Sequence, residues 1–270
     1  MRVQRRIAAL AVTVCAALAV AAPAANAWAP AESASIRPGN MTFTDGAQCT
    51  SNFVLSDGAN TYIGQAAHCS GTGGATETDG CDSGSLPVGT RVEVEGAGQP
   101  GTMVYNSWIA MQNAGESDPS VCAYNDFALI KLEPGDAAAT NPTVPFWGGP
   151  TGVTTSTAPG DKVLSYGNSS LRGGVRELSP KEGASLGTEG GGWSHSVYTV
   201  TPGIPGDSGS AFIDREGRAF GVLSTVQLAP KAGSNGVGDV SREIAYMQSH
   251  GGPSANIASG TEAFGGPLLP

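Results

Sequence analysis

The stretch Pro205-Gly206-Asp207-Ser208-Gly209-Ser210 decides how this chain is read, because it looks built to present one serine to solvent. Glycines before and after Ser208 let the backbone turn tightly and aim its N–H groups outward. Alone, the motif is short and reads equally well as a Gly/Asp turn. Two upstream stretches change that: Gln65-Ala66-Ala67-His68-Cys69 and Tyr124-Asn125-Asp126-Phe127-Ala128-Leu129-Ile130-Lys131-Leu132. They place a histidine 58 residues before an aspartate, which in turn lies 82 residues before Ser208.

A serine hydroxyl is a poor nucleophile at neutral pH and needs a base within hydrogen-bond reach. Imidazole suits the task because its ordinary pKa, about 6.5, lies near working pH. A carboxylate on the other ring nitrogen fixes the tautomer and stabilises the imidazolium that forms. Taken singly, a His beside a Cys reads as structural, and an Asp before an apolar run as a strand edge or turn. The three together, in the order His, Asp, Ser, point to acyl transfer. Subtilisin-type enzymes run Asp–His–Ser and α/β-hydrolases run Ser–Asp–His. On these motifs the chain resembles the trypsin/chymotrypsin-like serine endopeptidases, most of all their secreted bacterial, actinobacterial-looking branch.

The resemblance covers most of residues 36–250. It implies an all-β fold of two six-stranded antiparallel β-barrels, with the active site in the cleft between them and a C-terminal helix. It makes Ser208 the nucleophile, His68 the base, Asp126 the orienting carboxylate, and the backbone N–H groups of Gly206 and Ser208 the oxyanion hole. Phe220-Gly221-Val222-Leu223-Ser224-Thr225 resembles the family strand that lies beside the bound peptide. By that likeness Ser224 touches Asp126, and the Ser224–Val226 backbone pairs with substrate as an added strand. Pro202, Ser224, Thr225 and Val226 are therefore the expected substrate-binding residues.

Two departures from the family pattern bear on function. Trypsin-type members carry an Asp six residues before the nucleophile, where this chain has Pro202 between the uncharged Thr201 and Gly203. Val226 stands where open-pocketed members have Gly. Both favour a small or medium uncharged residue before the scissile bond. The second departure is the lack of an Ile-Val-Gly-Gly stretch after a basic cleavage site. Asp207 then needs a partner other than a freed N-terminal amine, an arginine being the candidate, and no conventional zymogen switch or large pro-region is expected.

Residues 1–27 read as a secretory signal peptide. Arg2, Arg5 and Arg6 form a basic start, Ile7 to Ala22 is almost wholly apolar, and Ala25-Asn26-Ala27 is an A-x-A cleavage site. A permanent anchor is the rival reading, but no stop-transfer pattern follows. Removing three arginines and no acid takes the formal charge from −9 to −12. An acidic secreted chain argues against nucleic acid or an anionic membrane as partner. The expected partners are a peptide or protein substrate and a proteinaceous inhibitor, with the chain itself a monomer.

Cys15 leaves with the signal, and Cys49, Cys69, Cys81 and Cys122 remain. In an oxidising compartment four cysteines suggest two disulfides, for which three pairings are open. The resemblance implies Cys49–Cys69, which leaves Cys81–Cys122. Zinc is a weak rival because no paired C-x₂-C spacing is present, and no metal or cofactor is expected.

Forty glycines in 270 residues is about twice the usual share of ~7%, but they punctuate short apolar runs instead of forming a low-complexity block. Strands are expected at Asn52–Leu55, Thr61–Gln65, Arg91–Glu95, Thr102–Trp108 and Phe127–Leu132, then at Lys162–Tyr166, Ser196–Thr201, Ser210–Ile213 and Phe220–Thr225. Asp214-Arg215-Glu216-Gly217 is a hairpin turn in which Gly217 takes positive φ. Only the end looks helical: Asp239 caps a helix over Val240–Gln248, with Val240, Ile244 and Met247 on one face.

These signals divide the chain into the signal peptide (1–27), an N-terminal extension (28–40), a first barrel with His68 and Asp126 (41–136), a second barrel with Ser208 plus the helix (137–250), and a loosely ordered tail (251–270). The Pro/Gly/Ala/Thr-rich stretch from Pro134 to about Pro150 is the crossing between barrels. The other histidines have plainer readings: His195 as loop or strand-edge packing, His250 as a cation at a helix C-terminus. The expected function is that of a secreted serine endopeptidase. Rivals are a protease-like binding module without catalysis, and an esterase on the same machinery. The Gly-x-Ser-x-Gly elbow of many esterases is absent, because Ser210 replaces its second Gly.

Overall fold

The computed structural model describes residues 28–74, 78–227 and 231–268, so the signal peptide expected over residues 1–27 lies outside the described residues. Seven strands form before residue 132: β1 (Met41–Thr44), β2 (Ala47–Thr50), β3 (Val54–Ser56), β4 (Thr61–Gln65), β5 (Arg91–Val94), β6 (Gly101–Asn106) and β7 (Ala128–Lys131). Seven more follow: β8 (Gly152–Val153), β9 (Lys162–Tyr166), β10 (Pro180–Glu189), β11 (Ser194–Thr199), β12 (Ala211–Asp214), β13 (Arg218–Val226) and β14 (Asn235–Asp239). A last short strand, β15 (Asn256–Ile257), comes from the C-terminal stretch.

The first sheet runs β15-β3-β4-β7-β6-β5-β1-β2 and curls into a half-barrel in which β2, at one end, is joined in the chain by residues 51–53 to β3, which lies beside β15 at the other. The second runs β12-β9-β10-β11-β14-β13, and the β12–β13 pairing closes it into a six-stranded barrel. Short β8 lies outside the ring, parallel to β13. Alternation explains much of this. In β5, Val92 and Val94 point inward while Arg91 and Glu93 face solvent, and the continuous apolar run of β7 is buried through Ile130. Ile63, Met103 and Ile130 join Val92 and Val94 inside the first sheet, and Val163, Val197, Phe212, Phe220, Leu223 and Val237 fill the second.

The expected hairpin at Asp214–Gly217 joins β12 to β13, with Gly217 at φ +77° and its N–H on Asp214 O at 3.0 Å. Asp239 caps the terminal helix, here Val240–Ser249, by accepting from Arg242 N at 2.9 Å.

The expectation that only the end is helical is corrected. The strand expected over Thr102–Trp108 stops at Asn106, whose side chain accepts from Trp108 N and Ile109 N and starts helix α1 (Ser107–Ala114). Asp118 and Pro119 open α2 (Pro119–Tyr124) in the same way, and a short α3 (Pro134–Ala137) begins the crossing. The terminal helix is therefore α4. Buried side chains of α1 and α4, including Trp108, Ile244 and Met247, belong to the large core cluster that also takes in Leu129 and Val222 from the two sheets. The stretch after His250, expected as a loose tail, makes specific contacts: Ile257 pairs with Leu55, Ala255 is buried, and Gly260 N–H reaches Pro150 O at 2.9 Å.

Candidate active site

Ser208 sits half-buried in a turn flanked by Gly206 at φ +93° and Gly209 at φ +90°, a conformation that side chains with a Cβ rarely adopt. Space also excludes them, since a Cβ on Gly209 would come within 2.4 Å of Thr50 O. The turn is stitched to the first sheet. Gly206 O accepts from Thr50 Oγ1 at 2.7 Å and Gln48 Nε2 at 3.0 Å, and Ser208 O accepts from Thr50 N at 2.8 Å.

Two peptide planes in this turn are pinned by their carbonyls. Pro205 O accepts from Ser169 Oγ at 2.5 Å, and Asp207 O accepts from Ser210 N at 3.0 Å and from Ser210 Oγ. In a trans peptide the N–H points opposite to the C=O. The bonds on Pro205 O and Asp207 O therefore set the directions of the Gly206 and Ser208 N–H groups. Among the described residues neither N–H has an intramolecular acceptor.

Beneath the turn, Asp207 is fully buried and meets three hydrogen-bond donors and one further ammonium. Ser169 N lies 3.0 Å from Oδ1, while Ile204 N at 3.1 Å, Arg172 Nη2 at 2.6 Å and Lys181 Nζ at 3.0 Å converge on Oδ2. The arginine considered as partner for Asp207 is thus Arg172, and a wholly buried lysine stands beside it. Lys181 lies at ion-pair distance without hydrogen-bond geometry. Its burial pulls the ammonium pKa below the ordinary value, against the opposing pull of Asp207.

His68 stands on a short 3₁₀ turn (Ala67–Ser70) after β4, tied down by the Cys49–Cys69 disulfide. The second disulfide joins Cys81 to Cys122, the pair left once Cys49 and Cys69 are joined. Loops of this size contribute about 3 kcal/mol each in the chain-entropy account. His68 Nδ1 lies 2.7 Å from Asp126 Oδ2, and His68 N–H donates to Asp126 Oδ1 at 2.8 Å. Burial lowers the imidazole pKa, but the charge and hydrogen bond of Asp126 outweigh it and the pKa ends above its ordinary value. Burial alone would raise Asp126, yet the His68 charge and the bonds from His68 and Ser224 carry it below the usual carboxylate range.

Asp126 is gripped from three directions. Ser224 on β13 donates to its Oδ2 at 2.6 Å, so the second sheet touches it as well as the first. From α4, Glu243 Oε1 accepts Asp126 N–H at 3.1 Å. Glu243 is fully buried, and its pKa is raised well above the ordinary value by burial and by the charges of Asp126 and Asp239. Sequence reading missed Glu243, although a signal was present: it lies three residues after Val240, on the apolar face of the helix.

His68, Gly206 and Ser208 line one cavity of about 720 Å³ together with Ser224, Thr225 and Val226. Among the described residues no hydrogen bond joins Ser208 Oγ to the His68 ring; such bonds are often long before substrate binds. Pro202 is placed differently from expectation. It does not line this cavity, and its carbonyl accepts from Arg172 Nη2 at 2.9 Å. A residue not foreseen stands nearby: buried Asn235 accepts Gly203 N–H at 2.8 Å and donates to Thr225 O at 3.2 Å. Its amide thereby stitches the segment before Ser208 to strand β13. In the sequence, Ser234-Asn235-Gly236 looks like a turn and gives no hint of this.

The remaining histidines are away from the cavity. His195 is fully buried between Thr157 Oγ1 (2.9 Å) and Asp239 Oδ2 (3.1 Å), and His250 stacks on Tyr246 with ring centroids 3.7 Å apart. Among the described residues, the groups of His, Cys, Asp and Glu close enough to share an ion are Cys49/His68/Cys69 and Asp79/Cys81/Cys122. Both have their sulfurs committed to disulfides. No helix among the described residues is long and apolar enough to cross a membrane.

Comparison with protein families and with curated proteins finds no match. Solved structures do match. Thermobifida fusca protease A is 16% identical over 83% of this chain and 99% of its own, with a TM-score of 0.54. A glutamic-acid-specific serine protease, described as using a histidine triad in substrate binding, is 16% identical over 83% of this chain and all of its own, with a TM-score of 0.52. A Glu endopeptidase is 17% identical over 81% and 91%, with a TM-score of 0.50. At such identities the likeness is one of architecture. The fold is that of the bacterial chymotrypsin-like serine proteases.

Proposed function

We propose that this chain is a secreted serine endopeptidase that works through an acyl-enzyme. The reading rests on one observation above all: His68, held from behind by buried Asp126, lines one cavity together with Ser208 and Gly206, whose backbone N–H groups are unengaged among the described residues. Ser208 Oγ attacks the peptide carbonyl carbon and gives its proton to His68 Nε2. The oxygen that gains negative charge is held by Gly206 N–H and Ser208 N–H, a contribution worth roughly 10²–10³ in turnover per donor. Collapse breaks the C–N bond, and the His68 proton leaves with the amine. Water then attacks the ester by the same route in reverse and restores Ser208.

The neutral imidazole is the base, so its titration sets the acid limb of activity. Asp126 raises the His68 pKa above its ordinary 6.5, and kcat/KM is expected to rise with pH through a midpoint above that value. A profile flat from about pH 4 to 9 would exclude His68 as base.

For specificity, the substrate edge is Ser224–Val226, and the residue before the scissile bond is small or medium and uncharged. Val226 narrows the cavity and is among the residues that line it. Histidine-based recognition of a glutamate, as named for one structural neighbour, is not expected here, because His68 alone of the three histidines lines the cavity. Digestion of a proteome-derived peptide mixture, with cut sites read by mass spectrometry, should show cleavage after small uncharged residues. Dominant cleavage after Lys, Arg or Glu would overturn this preference.

A further inference from the structure

A second cavity, of about 330 Å³, shares no lining residue with the active-site cavity. It opens between Arg37 and Glu95 on the first-sheet side and Tyr166, Arg172 and Arg176 on the second-sheet side. Three arginines thus line one space in a chain of formal charge −9. Among the described residues, the side chains of Arg37 and Arg176 have neither an ion pair nor a hydrogen bond. Arg172 is about nine-tenths buried, with its Nη2 on Asp207 and Pro202. Its Nε–H is buried and has no acceptor. Glu95 is the one carboxylate lining the cavity, and its Oε2 already accepts from Met41 N at 2.9 Å and Asn168 Nδ2 at 3.1 Å.

A buried donor without an acceptor costs about 1–3 kcal/mol, more when the group is charged. Cations gathered around one space also repel one another unless an anion joins them. The guanidinium fork matches the oxygens of a carboxylate, phosphate or sulfate, which can take two parallel N–H bonds from one side chain. We propose that the cavity between Arg37, Arg172 and Arg176 is an oxyanion site, whose ligand bridges the segment preceding β1 and the loop after β9. Because Arg172 also holds Asp207, occupancy is linked through one side chain to the turn that carries Ser208.

The test is calorimetric titration of the chain lacking its signal segment with inorganic phosphate and, separately, with succinate, at constant ionic strength. Saturable binding in the millimolar range or tighter is expected. Arg37→Ala and Arg176→Ala should each weaken it by about tenfold or more. Arg91→Ala, an equal change of charge at the exposed Glu133 pair, should leave it unchanged. Phosphate binding without succinate binding identifies a free inorganic or phosphoryl ligand; the reverse identifies a carboxylate such as an acidic peptide supplies. No saturable heat with either anion, or undiminished binding in the Arg37→Ala/Arg176→Ala double variant, overturns the proposal. The readout needs no catalysis, so its failure is distinct from failure of the endopeptidase reading.

Discussion

Ser208→Ala is expected to remove peptide hydrolysis, by roughly a millionfold in turnover, while leaving the fold intact. The loss is large because, in the proposed mechanism, the attacking oxygen itself is gone. What remains is the modest acceleration from the N–H groups of Gly206 and Ser208 and from substrate binding. The fold should survive because among the described residues the Ser208 hydroxyl makes no hydrogen bond that alanine would break. Unfolding free energy should therefore stay within about 1 kcal/mol of the parent. Hydrolysis of a peptide substrate and covalent labelling by an organophosphonate probe are the two measurements. Undiminished cleavage by the variant would sink the assignment, and a parent protein that takes no label and cuts no peptide would favour a binding module.

Asp207→Ala should be the most destabilising single change near the site, by about 3–5 kcal/mol in chemical unfolding. That is a large share of the 5–15 kcal/mol typical of a folded domain. The aspartate is the shared counter-charge of Arg172 and Lys181, whose side chains are about nine-tenths and wholly buried. Without it two cations stay in the interior unpaired, and Ser169 N and Ile204 N lose their acceptor. The turn carrying Ser208 would loosen, so activity should fall with stability. A companion variant separates the charges. Lys181→Met leaves the Arg172–Asp207 pair in place and should cost far less than Asp207→Ala, while adding it to Asp207→Ala should recover part of the loss. Equal stability of Asp207→Ala and the parent would mean that the buried ion cluster does not hold the turn.

Much of the architecture is legible in the residues because sheets are specified by short-range pattern. Arg91–Val94 alternates, Phe127–Ile130 is continuously apolar, and Asp214–Gly217 has the composition of a turn; each forms the element expected of it. The failures have the same origin. Pro180–Glu189 forms a ten-residue strand that pairs with both β9 and β11 despite a polar, Gly-containing sequence without clean alternation. Its neighbours in the barrel supply the order that its own pattern lacks. At Asn106 a single capping side chain turned the chain from strand to helix, a signal weaker than the apolar residues around it.

The same division runs through the candidate site. The turn at Ser208, the order of His68, Asp126 and Ser208, and the four cysteines that follow Cys15 are properties of the sequence, because residue type and spacing carry them. Which groups lie behind those residues is decided only by the tertiary fold. Arg172 and Lys181 meet at Asp207, Asn235 joins Gly203 to Thr225, and Glu243 reaches Asp126 from 117 residues away. These contacts join elements brought together by barrel closure and by the packing of α4 on the two sheets. No local periodicity records such a meeting, since burial and long-range pairing arise only once the chain has closed on itself.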